Sequence, residues 1–139
     1  MKRTIRNSLI VLNVFLALTS IAGGIALIAG WNAPPVEVLG GSLFSSYLVP
    51  GLALFILVGG TAAFAAMVTF RDHHLAPAAS YLAACAIVIF EIVEIAVIGS
   101  PEGVARNLQV FYLALGFCIG FLTAVLTRAS PGSSKPRNP

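Results

Sequence analysis

Four long stretches of this chain carry almost no charge, and no other feature constrains its fold so tightly. No Lys, Arg, Asp or Glu lies between Arg6 and Glu37, between Glu37 and Arg71, or between Arg106 and Arg128. The stretch from Pro77 to Ile98 holds only Glu91 and Glu94. A helix needs about 20 apolar residues to cross roughly 30 Å of hydrocarbon, and each stretch supplies them. Lipid gives the backbone no hydrogen-bond partner, so a span must be a helix or part of a closed barrel. The short alternating segments of a barrel are absent. The expected fold is therefore all-α: a four-transmembrane-helix bundle with spans at about 5–30, 47–70, 77–98 and 107–127. These form a single domain over 1–128, and the Pro/Ser-rich remainder, 129–139, is expected to be a disordered tail.

Composition points the same way. Of 139 residues 58% are hydrophobic and 9% charged, with a mean hydropathy of +0.96, where a soluble domain has roughly 25% charged residues. The excess covers most of the length, which excludes a soluble domain with one anchor. A net charge of +3 and a pI near 9.2 raise nucleic acid as a partner. The eight Lys and Arg residues are too few for that and sit between apolar runs, so the lipid bilayer is the expected partner. Cys85 and Cys118 lie inside apolar runs with no CxxC and no zinc spacing. No disulfide, metal or cofactor is expected.

The cations set the sidedness. Lys2, Arg3 and Arg6 precede the first span, Arg71 lies between the second and third, and Arg128, Lys135 and Arg137 follow the fourth. Four crossings bring all of these to one side and leave Arg106 on the other. The positive-inside rule then places both termini and the Arg71 turn in the cytoplasm. Trp31 and Tyr47 fall at the outer interface, and 32–46 becomes the longest outer loop. Lys2, Arg3 and Arg6 ahead of an apolar run also fit a secretory signal. That run is about twice the usual 7–15 residues and leads into Trp31-Asn32-Ala33-Pro34-Pro35 rather than a cleavage site, so it is read as a retained span ended by those residues.

At 100° per residue each span shows a stripe of small or polar residues. The fourth aligns Gln109, Tyr112, Gly116, Gly120, Thr123 and Thr127, with Phe111, Cys118 and Phe121 behind. The third aligns Ser80, Ala84, Ile87, Glu91 and Glu94, the first Asn13, Ala17, Ser20 and Gly24, the second Gly59, Ala62, Ala63 and Ala66. Such stripes face protein. Gly24, Gly59, Gly116 and Gly120 are the expected packing glycines, the last two forming a GxxxG.

Glu91 and Glu94 carry the most chemical information. An ionised side chain near the bilayer centre costs about 2.5–3.5 kcal/mol even on the mild insertion scale. Glu94 lies about 7 Å inside Gly99 and can reach outward, whereas Glu91 lies about 12 Å inside and cannot. Spaced i and i+3, the two share a face. The antiparallel fourth span brings Gln109 and Tyr112 to the same depth. The expected site is a hydrogen-bonded cluster of Glu91, Glu94, Gln109 and Tyr112, a candidate proton site open to the outer side. Arg106 is the candidate cap above it, and Asn32 or Tyr47 the further contributors. His73 and His74 sit next to each other, a poor spacing for a metal on a helix, and are expected to be a solvated turn. No nucleophile–base set or phosphate loop is present, so no catalytic residue is assigned and a non-enzymatic role is expected.

The run Tyr47-Leu-Val-Pro-Gly-Leu-Ala-Leu-Phe55, with Gly59-Gly60, Ala65-Ala66, Glu91, Glu94, Ile98-Gly99, Gln109 and Leu115-Gly116, resembles a family of small uncharacterised bacterial four-helix integral membrane proteins. The resemblance implies the four-span layout and no activity. Size and an intramembrane acid also resemble the small multidrug resistance transporters, but their essential glutamate is on the first helix, which has no acid here. The expected function is a helix-associating or accessory membrane subunit, acting as a homo-oligomer or with a membrane-protein partner. The alternative is a proton- or cation-linked transporter using Glu91.

Overall fold

The computed structural model describes residues 1–31 and 33–130 of the chain. Asn32 and most of the expected tail, with Lys135 and Arg137, lie outside the described residues. Four helices form: α1 (Lys2–Ala29), α2 (Leu48–Phe70), α3 (Ala76–Ile98) and α4 (Val104–Arg128). Each is long and apolar enough to cross a membrane, and no strand occurs among the described residues.

Local chemistry explains the helix ends. Gly30, at φ 74°, ends α1. The Trp31 amide reaches back to Ala26 O at 2.8 Å and the Gly30 amide to Leu27 O at 3.2 Å, the paired bonds of a Schellman cap. The terminator is thus Gly30, one residue ahead of the Trp31–Pro35 run expected to stop the helix. Pro50 falls in the first turn of α2, where its missing N–H costs nothing, and Pro77 does the same for α3. Gly103, at φ 106°, launches α4 at Val104, three residues before the expected start. Within α2, residues Ala53–Gly60 wind as a π-helix, a wider turn with i→i+5 bonds.

The helices run up, down, up and down, with α1 beside α2, α2 beside α3, α3 beside α4 and α4 closing on α1. One end of the bundle, the basic end, carries Lys2, Arg3, Arg6, Arg71 and Arg128. The other, the loop end, carries residues 30–47 and the α3–α4 turn. Leu9, Leu16, Val58, Ile87 and Ile119 fill the centre. Leu18, Ile56, Leu82, Ile89, Phe117 and Phe121 point outward, as do the free Cys85 and Cys118. At the basic end Arg6 pairs with Asp72 at 3.2 Å, tying α1 to the α2–α3 turn.

Small residues set the closest crossings. A Cβ on Gly24 would lie 2.7 Å from both Gly51 O and Phe55 Cβ. One on Gly51 would lie 2.7 Å from Ile28 Cγ1. Gly59 faces Ile21 at 2.8 Å, and Gly116 faces Val88 and Ile87 at 2.7 and 2.8 Å. Gly120 departs from its expected role. Its Cβ would meet only Ala84 Cβ, at an ordinary 3.9 Å, because the facing residue is itself small. Ala63 is exposed, and α2 instead buries Ala62, Ala65 and Ala66.

Candidate functional site

The register of α3 carries Glu91 into the bundle one turn beyond Ile87. Glu91 is 4% exposed, and its Oε2 is buried with no hydrogen-bond partner. Glu94 sits three residues closer to the loop end and is half-buried. Its Oε1 accepts a hydrogen bond from Gln109 Nε2 at 3.1 Å. The same amide nitrogen donates to Gly99 O at 3.1 Å. Two acceptors on one side fix the orientation of the Gln109 amide, since only its nitrogen can donate. Its oxygen is thereby turned away, buried and without a partner. Tyr112, one turn further along α4, is half-buried beside the same space.

These four side chains border one cavity of about 310 Å³ between the helices. Helix α1 adds Thr19 and Ser20, and the π-helical part of α2 adds Leu54. Ser20 is 2% exposed, and its hydroxyl oxygen has no partner. The Thr19 hydroxyl donates to Phe15 O at 2.9 Å and is satisfied. Ile87 closes the cavity toward the centre, and Trp31 borders it toward the loop end. Among the described residues no Lys or Arg borders it.

Arg106 does not cap this cluster. Its Nε and Nη2 donate to Ser100 O at 3.2 and 2.8 Å, and Nη1 lies 3.4 Å from Glu102 Oε1. The carbonyl and carboxylate of its own turn are closer acceptors than the acids below, so Arg106 fastens the α3–α4 turn. Tyr47 is buried, borders Glu94 from a neighbouring apolar space and directs its hydroxyl to Pro35 O at 3.5 Å. Asn32 lies outside the described residues.

Two other polar groups serve packing. Asn13, fully buried two turns below Ser20, donates from Nδ2 to Leu9 O at 2.9 Å and to Ser80 Oγ at 3.4 Å, joining α1 to α3, while its Oδ1 is buried without a partner. His73 Nδ1 accepts the Leu75 amide at 3.2 Å, shaping the turn into α3. Among the described residues no cluster of His, Cys, Asp or Glu is grouped to hold a metal.

Sequence reasoning missed Ser20 and Leu54 as site residues. Ser20 stood on the small stripe of α1, but nothing in the linear chain links that stripe to Glu91. Leu54 is apolar, and the π-helical winding that presents it has no sequence signature.

A buried polar group left without a partner costs about 1–3 kcal/mol. Glu91, Gln109 and Ser20 border one cavity, and each carries a buried oxygen without a partner, two of which can only accept when Glu91 is ionised. The arrangement is short of hydrogen-bond donors and of positive charge. It suits a proton, a cation or a donor-rich ligand. No family description, curated protein or solved structure matches the chain.

Proposed function

We propose that this chain is an integral protein of a bacterial plasma membrane that loads a proton or small cation on Glu91 from the outer side. Four apolar helices and the gathering of Lys2, Arg3, Arg6, Arg71 and Arg128 at one end support the insertion and its sidedness, with both termini cytoplasmic. The single observation behind the site is the set of three buried, unpartnered oxygens on Glu91, Gln109 and Ser20, residues that border a cavity lined by no Lys or Arg among the described residues. Ile87, Leu16 and Ile119, all 1% exposed or less, stand between that cavity and the basic end. Passage across would therefore need these residues to move.

The test is pH-dependent cation flux in liposomes, comparing wild type with Glu91→Gln. The proposal expects flux in wild type that the substitution abolishes. Equal flux in both, or none in either, removes it.

A helix-associating accessory subunit or homo-oligomer is the second reading. The packing glycines at positions 24, 59 and 116 meet residues of their own chain, so they leave no surface for a partner. One outward step supports association: Gly60 and Ala63 are exposed on α2, and a Cβ on Gly60 would meet nothing within 4 Å. Crosslinking in lipid should then join copies or a membrane partner through α2, and Gly60→Leu should abolish the product.

A further inference from the structure

A second cavity, of about 210 Å³, adjoins the acid cavity beneath the loop. The two share Leu27, Phe90, Glu94 and Leu108 as walls. The second is apolar: Pro34, Leu39 and Phe44 cover it from the loop, and Val97 and Ala105 wall it from α3 and α4. Leu39, 3% exposed at the end of the 3₁₀ turn Val36–Leu39, holds this cover down. Among the described residues Glu94 is the only charged one that borders the apolar space, and it stands where that space meets the acid cavity.

We propose that the ligand of this site is an amphipathic organic cation: a protonated amine seated among Glu91, Gln109 and Ser20, on an apolar body that fills the chamber under the loop. The inference rests on the reading that Glu91 loads a cation, and it adds the chemical class. An ammonium group brings up to three N–H donors to a cavity bordered by Glu91, Gln109 and Ser20, each of which carries a buried oxygen that lacks a partner. Its charge answers two carboxyls that share their cavity with no Lys or Arg among the described residues. Phe90, Trp31 and Tyr112 border the same cavity, and aromatic rings attract cations. A bare metal ion would leave the apolar chamber without a role. A lipid acyl chain would fill that chamber and leave the acids unpaired. Only a ligand with both parts uses both spaces, and a site with apolar walls and few convergent polar groups is how organic ligands are usually held.

Trp31 is the sole tryptophan, borders the acid cavity and is 67% exposed, so the saturable part of its fluorescence change is the signal read for occupancy. The experiment titrates the full chain in lipid nanodiscs with 4-phenylbutylamine, its neutral counterpart 4-phenylbutanol, and methylammonium chloride. The amine should give a saturable change, with both other probes at least about tenfold weaker, or about 1.4 kcal/mol. Glu91→Gln should weaken both ammonium probes. Ala105→Phe, which fills the apolar chamber, should weaken the phenyl amine about tenfold and leave methylammonium unchanged. Equal binding of amine and alcohol overturns the proposal, as does a phenyl amine no tighter than methylammonium. If methylammonium binding still depends on Glu91 in the latter case, the cation site survives and only its ligand class is wrong. If no cation changes the signal, or Glu91→Gln changes nothing, both fail. The comparison of the three probes on wild type requires no variant to fold.

Discussion

At the scale of single residues, the bundle separates polar groups that hold it together from polar groups that wait for something. Asn13 joins α1 to α3 through Ser80. Asn13→Ala should lower stability by about 1–2 kcal/mol, read as a fall in thermal midpoint in lipid, since it removes the bond and leaves Ser80 without that partner. Ser20 behaves in the opposite way. Its hydroxyl oxygen is buried with no partner, so Ser20→Ala removes an unsatisfied group and should leave stability unchanged or raised by up to about 1 kcal/mol. The same substitution should weaken loading of the Glu91 cavity. A stability loss as large as that of Asn13→Ala would mean that Ser20 is a packing bond like the others. Glu91 and Gln109 could be singled out from their types and depth alone. Ser20 could not, because a serine on a small-residue stripe reads as packing until its neighbours across the bundle are seen.

Helix pairs show how much more a motif can promise than it delivers. Gly116 and Gly120 look equivalent in the GxxxG, yet only Gly116 sits against bulky side chains, Val88 and Ile87, while Gly120 faces Ala84. Gly116→Ala should destabilise by about 1–3 kcal/mol through overpacking. Gly120→Ala should be neutral or gain up to about 1 kcal/mol from helix propensity. Denaturation of the two variants in the same detergent compares them, and equal losses would place the α3–α4 contact elsewhere. The α1–α2 crossing makes the converse point. Gly51 meets Gly24 and Ile28 there, although it belongs to no small-residue stripe read from the sequence. Gly24→Ala should cost a similar amount, because the atoms in its way include the backbone of Gly51 and Phe55 rather than movable side-chain ends. The four helices and most inward faces were legible from charge gaps and periodicity. In the second span, alanines on every side of the run from Thr61 to Ala66 hid which face packs, and the exposed Ala63 is the result.

For the whole molecule, hydrophobic length and the distribution of cations determine what can be expected, and loop geometry supplies what they cannot. The residues between α1 and α2 carry no strong pattern, yet they fold Leu39 and Phe44 over an apolar chamber beside Glu94. The sidedness proposal makes its own prediction. With exposed Cys85 and Cys118 replaced by Ser, a single cysteine at Ser45 should react with an impermeant maleimide in intact cells. One at His74 should react only after the cells are opened. The reverse pattern would turn the acid cavity toward the cytoplasm. The most direct test of the central claim, that Glu91 stands free in a ligand-accessible cavity, is labelling with a hydrophobic carbodiimide followed by mass spectrometry of the folded protein in lipid. The account predicts an adduct on Glu91 that cationic amines suppress. An unreactive Glu91, or an adduct formed at the same rate with and without amine, would contradict it.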